Sequence, residues 1–160
     1  MKLKKLTNIL QVVSVILCLA IIYILFNFAP RISVQIVADY KQFQQFIYPW
    51  LIMFWVEGLP IVLCGLICIK LYENIGNNEI FTRENLRLIR LIDKIVFILV
   101  LIVLLANILS IYFYLVYNIG FIILHLAYLL ILLIVHLVLK IVIEIMENGV
   151  ELKEDQDLTV

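Results

Sequence analysis

Glu57 is the side chain in this sequence with the most chemistry to offer, because it is an acid inside an otherwise apolar run, in Glu57-Gly58-Leu59-Pro60. A charge at mid-bilayer costs from about 2.5 kcal/mol upward, so a spanning helix keeps one only with a partner, a cavity or a proton. Counted inward from the outer ends of the helices assigned below, Glu57 is ten residues deep on the second helix and Asn107 ten deep on the third, so the two can meet. Ser110, Tyr112, Tyr114 and Tyr128 come within a turn or two of that depth, and His125 lies nearer the outside. Glu57, Asn107, Ser110 and His125 thus form a candidate intramembrane polar site. It reads as a proton-sensitive group, as the anchor of a cationic ligand, or as a neutral Glu57 hydrogen-bonded to Asn107 that locks helix two to helix three.

A second pattern is ionic. Arg83, Arg87, Arg90 and Lys94 recur at spacings of four, three and four, which at about 100° per residue places them on one face of a helix. Glu144, Glu147, Glu151 and Glu154 recur at three, four and three. If the chain reverses near Ile119, residues at equal height have numbers totalling about 238. Lys94 then faces Glu144, Arg90 faces Glu147, Arg87 faces Glu151 and Arg83 faces Glu154. The ladder describes a two-helix stalk, or two solvated faces of which the basic one rests on lipid headgroups. Exposed pairs contribute about 0 to 1 kcal/mol each, so such a ladder sets register more than stability. Gly149 is a point at which the second helix could stop after two rungs.

Other chemistry is sparse. Cys64 and Cys68 are one turn apart, with Cys18 far off on the first helix, and they read with Gly58 and Gly65 as small residues for close helix packing, not as a metal site. The sequence has no phosphate loop, no paired intramembrane aspartates, no zinc-protease helix motif and no nucleophile elbow. No catalytic residue, metal or cofactor is expected.

The elements that would position these residues follow from hydropathy. Ile95 to Leu139 is forty-five residues without a Lys, Arg, Asp or Glu. One crossing of a hydrocarbon core about 30 Å thick takes roughly 20 residues of helix, so this stretch makes two. Tyr117-Asn118-Ile119-Gly120 supplies the reversal between them. The chain is 66% hydrophobic and 15% charged, against about 45 to 50% and 25% for a soluble domain. The expected fold is all-α and integral to a membrane, one domain over 1–160, with transmembrane helices at 6–28, 47–69, 95–117 and 121–139. The third and fourth form a tight hairpin extended into the cytosol.

Lys2, Lys4 and Lys5 precede an apolar run longer than a signal peptide's and lacking its small-residue cleavage site, so the first span is retained, ended by Pro30. Residues 31–48 make a partly helical connector against the outer end of the bundle, or an amphipathic segment in the interface. Pro60 should bend the second span near Val56. The connector 70–94 ends in Phe81-Thr82, where Thr82 is a good N-cap and Phe81 and Leu86 match a hydrophobic staple. Residues 144–160 form an acidic tail. Lys2, Lys4, Lys5, Lys70, Arg83, Arg87, Arg90, Lys94, Lys140 and Lys153 fall on one side of this topology and only Arg31 and Lys41 on the other. By the positive-inside rule both termini are cytoplasmic.

Two segments carry a family resemblance. Phe81-Thr82-Arg83-Glu84-Asn85-Leu86-Arg87-Leu88-Ile89-Arg90-Leu91-Ile92, and Leu152-Lys153-Glu154-Asp155-Gln156 followed by the tail motif Asp157-Leu158-Thr159-Val160, resemble the YoaS-like family of four-span bacterial membrane proteins, a domain of unknown function. The chain departs from it in Asp155-Gln156, where Glu-Glu or Glu-Asn is more usual, and in a terminal Val instead of Ile. The resemblance implies a bacterial cytoplasmic membrane protein, frequently encoded beside a small helix-turn-helix regulator, and implies no activity. The expected function is a membrane-embedded regulatory partner or sensor that acts on such a regulator through the stalk and tail. Its partners are the lipid bilayer and that regulator, with no direct nucleic acid binding, and a homo-oligomer is allowed. The alternatives are an immunity or transport-like protein binding a peptide or small molecule in the membrane near Glu57, and a structural subunit of a membrane assembly.

Overall fold

The computed structural model describes residues 2–39, 41–112 and 119–158. The elements are α1 (Lys2–Tyr23), a π-helical turn (Ile24–Phe28), α2 (Ala29–Asp39), a 3-10 segment (Lys41–Phe46), α3 (Ile47–Gly76), α4 (Arg83–Tyr112) and α5 (Ile119–Leu158). No strand occurs among the described residues. Four helical stretches, Leu3–Gln35, Gln44–Gly76, Arg83–Tyr112 and Ile122–Gln156, are long and apolar enough to cross a membrane. The chain is an all-α, four-span membrane protein. The expected reversal at Tyr117 and Asn118 lies outside the described residues.

The first span does not end at Pro30. Helix continues through it to Asp39, because the π-helical turn just before the proline has already rearranged the hydrogen bonds. Ala29 donates its N–H to the Ile24 carbonyl, one residue farther back than in an α-helix. The next residue is Pro30, which has no N–H, so the Leu25 carbonyl is left without a helical donor. Trp55 of α3 supplies one, its indole Nε1 lying 3.0 Å from that oxygen.

α1 and α3 run antiparallel and close together because glycines of α3 meet side chains of α1 and of the π-helical turn after it at three levels. A Cβ at Gly58 would fall 2.5 Å from Leu25, one at Gly65 2.5 Å from Cys18, and one at Gly76 2.6 Å from Thr7. The residue numbers total 83 in each pair, so one register is written three times. Cys18 adds a contact of 3.7 Å from Sγ to the Val62 carbonyl, and Gln11 donates to the Ile69 carbonyl at 3.3 Å. Small residues let helix backbones approach in lipid, where apolar burial alone gives no preference for protein over solvent.

α4 is the most enclosed helix, with α3 on one side and α5 on the other. Ile89, Asp93, Val96, Val100, Val103, Asn107 and Ser110, at alternating spacings of four and three, are all buried. Leu99, Val100 and Val103 pack with Leu132 of α5, flanked by Tyr128 and Leu129, while Leu86 and Ile89 pack with Met146. The helices are therefore arranged in series, α1 on α3, α3 on α4 and α4 on α5. Among the described residues α1 and α5 do not pack on each other.

The turn between α3 and α4 is tied by Asn85. This side chain is fully buried, accepts from Asn74 Nδ2 at 2.8 Å, and donates to the Glu79 and Ile80 carbonyls at 2.5 and 3.0 Å. Thr82 caps α4 through its hydroxyl, 3.2 Å from the Asn85 amide. Asn78 takes the left-handed conformation the reversal needs, with φ of 66°. At the far end α5 passes Gly149 without interruption, and glycine stands there because a Cβ would overlap the ring of Phe81.

Candidate functional site

Glu57 is buried on α3, in the turn that also contains Pro60, whose missing N–H leaves the Val56 carbonyl without its helical donor. Its partner is His125 of α5, with Oε2 3.4 Å from the imidazole Nε2. The expected bond to Asn107 is not made. Asn107 instead donates from Nδ2 to the Val103 carbonyl of its own helix at 2.8 Å. The Glu57 Oε1 and the Tyr128 hydroxyl are both buried with no hydrogen-bond partner among the described residues. The Tyr128 ring meets His125 edge-on, with centroids 6.1 Å apart. Ser110 is buried one turn beyond Asn107 on α4.

The ionic ladder is formed in part. Arg83 makes a two-toothed fork on Glu154, Nε to Oε1 and Nη2 to Oε2, both 2.6 Å, and Arg90 Nη2 lies 2.6 Å from Glu147 Oε1. Each pair totals 237, so hairpin register and ladder register agree. Hydrogen bonds from Arg83, and then its charge, hold the exposed Glu154 carboxyl below the usual carboxylate range. Arg87 and Glu151 stand between these rungs and, among the described residues, form no ion pair with each other. They line a groove of 410 Å³ with Leu86 and Val150. Lys94 and Glu144, the expected innermost rung, are not paired among the described residues. The link between the helices at that level is made one residue earlier, by Asp93.

Asp93 is a functional candidate the sequence reading passed over. It is buried on α4, with Oδ1 2.7 Å from His136 Nδ1 and Oδ2 3.0 Å from Lys140 Nζ, both on α5. The His136 contact has the distance of a hydrogen bond without its alignment. The phase of α4 could have found it, since Asp93 falls among Ile89, Val96 and Val100 on the buried face. Hydropathy does not mark it, because Asp93 lies just outside the uncharged stretch Ile95 to Leu139.

Asp157 and Leu158 close α5, and their side chains, with Thr159 and Val160, lie outside the described residues. Cys64 and Cys68 are half-buried on α3. A family model described as a protein of unknown function, DUF2975, matches residues 31–160. No curated protein and no solved structure matches the chain.

Proposed function

We propose, for a chain that belongs over residues 31–160 to the DUF2975 family of proteins of unknown function, that it is a non-enzymatic membrane partner of a cytosolic regulator. The stalk of α4 and α5 is the part that holds or releases it. One observation carries this reading. The stalk is closed at Arg83–Glu154 and Arg90–Glu147 and open between them, where Arg87 and Glu151 are exposed and, among the described residues, not paired with each other, beside Leu86 and Val150 in a groove of 410 Å³. A helix with its own acid–base pair could enter there and complete the rung, which a fully paired ladder would forbid.

The partner class comes from the resemblance to YoaS-like proteins, frequently encoded beside a small helix-turn-helix regulator. The orientation comes from charge. Ten of the twelve basic residues lie at the stalk end, which favours cytoplasmic termini in a bacterial cytoplasmic membrane. Zero formal net charge gives the chain no general attraction to nucleic acid, so binding DNA is left to the partner. The test is a pull-down from gently solubilised membranes with the full chain, Arg87→Glu, and a chain ending at Asn148. A helix-turn-helix protein retained by the full chain and lost from both variants is expected. Its absence from all three, with unaltered transcription when the tail is removed, overturns the reading.

A second reading has its own support. Glu57 Oε1 on α3 and the Tyr128 hydroxyl on α5 are two buried polar groups near His125 with no hydrogen-bond partner among the described residues. They suit a ligand with a cationic or hydroxyl group bound within the membrane, in an immunity or transport-like role. Glu57→Gln at normal expression should then abolish binding or resistance, and unchanged behaviour removes the support.

A further inference from the structure

Asp93 occupies a position where the face of α4 otherwise offers aliphatic residues, and it is 6% exposed. A buried carboxylate needs a counter-charge, and Lys140 alone supplies it at 3.0 Å. His136 is therefore a second partner on a site already neutral. Its Nδ1 is 2.7 Å from the other oxygen, and the Phe97 ring stands 5.2 Å from the imidazole between centroids. Lys140 and His136 are one helical turn apart, so a single carboxylate grips two successive turns of α5. One grip is permanent and the other depends on a proton.

We propose that Asp93, His136 and Lys140 form a proton-binding site at the base of the stalk, and that proton uptake there draws α4 and α5 together. The proton comes from the aqueous phase on the stalk side and adds to the imidazole. The triad passes from zero net charge to plus one, and no other bond is made or broken. Protonated, His136 donates from both nitrogens and becomes a charged partner of Asp93. Deprotonated, it has no charge to set against Asp93 and keeps one N–H to share between its two nitrogens. The charged groups nearby come from two helices: Arg90 and Lys94 on α4, with Arg90 held by Glu147, and Lys140, Glu144 and Glu147 on α5. From α3, packed on the other side of α4, the titratable groups near this height are Cys64, Cys68 and Tyr72. Cys68 bonds to Tyr72 and lies near Cys18, towards α1.

The Arg90–Glu147 rung is one turn below Asp93, and the groove of Arg87 and Glu151 follows at once. Proton state at the base therefore bears on the width of the groove. The site rests on its own geometry, and only its use as a signal to a regulator rests on the function proposed above.

The experiment uses the full chain in lipid nanodiscs with isotope-labelled histidine, titrated by NMR from about pH 5 to 8.5, the range in which imidazole changes charge. The chain has two histidines, so His125→Gln assigns the spectrum. The His136 resonances are expected to report proton uptake in the parent chain, with a midpoint that differs in Asp93→Asn and in Lys140→Gln, the partners that face the imidazole. Hydrogen exchange of the stalk, 83–94 and 140–154, corrected for intrinsic rates, should be several-fold slower at the acidic end. That difference should vanish in His136→Gln. A His136 that does not titrate, a midpoint equal in the parent and Lys140→Gln, or stalk exchange indifferent to its charge each overturns the proposal. Lys140→Gln, half exposed, keeps the test open if Asp93→Asn does not fold. Neither measurement involves a regulator, so failure of the pull-down and failure here are separate results.

Discussion

Trp55 donates to the Leu25 carbonyl because two neighbouring irregularities leave that oxygen without a helical donor. Trp55→Phe keeps the ring and removes the bond, and should cost about 1 kcal/mol in equilibrium unfolding in mixed micelles, with far-ultraviolet helicity unchanged. Gly58 against Leu25 is the steric counterpart. Gly58→Val should cost about 1 to 3 kcal/mol, and Leu25→Ala should recover part of it, since the obstructing atoms are the leucine methyls. The sequence made Gly58, Gly65 and the cysteines legible as small residues for close packing. It did not reveal the passage of helix through Pro30, because the donor that makes it tolerable comes from thirty residues away. Glu57 was legible as a site but its partner was not. Counting depth along ideal helices brings Asn107 level, and says nothing about a side chain reaching in from α5.

At the scale of elements, the stalk and the turn between α3 and α4 behave differently. The Arg83–Glu154 fork is exposed, and Glu154 titrates below the usual carboxylate range because Arg83 bonds to its charged form. For an acid with a depressed folded value, the contribution is fully present above the unfolded value of about 4.3 and is lost as pH falls through the folded one. Acidification below about pH 4 should therefore open the last turns of α5, read as faster amide exchange over 150–158, and Glu154→Gln should open them at neutral pH. Asn85 is the opposite case. Three contacts converge on one fully buried side chain, so Asn85→Ala should cost about 2 to 3 kcal/mol and loosen the turn. The Thr82 cap was readable because local spacing determines it, and the ladder register because a tight hairpin fixes which residues of its two helices stand at equal height. Asn85 was not, since an asparagine one turn into a helix has no distinguishing pattern until Asn74 and the turn carbonyls surround it.

Seen whole, the molecule is two tightly joined pairs, α1 with α3 and α4 with α5, connected through α3 and α4. Glycine notches set the first pair and charged or polar contacts the second. Reporter fusions within 77–80 and at either terminus should all register the cytoplasm, and a fusion near residue 40 the opposite side. Any other pattern reverses the orientation on which the stalk's proposed role depends. Four spans follow from hydropathy and length alone, whereas their neighbour order does not, because every apolar face is equally compatible with lipid. Order comes from shape at the glycines and from Asp93 and Glu57 finding their histidines.

Phe81, which sits in the Gly149 notch, belongs to the short turn that joins the two pairs. Mechanically the notch is a fulcrum. A pull on the last turns of α5 would meet that ring first, and the contacts beyond it run through the turn and the Asn85–Asn74 bond to the end of α3.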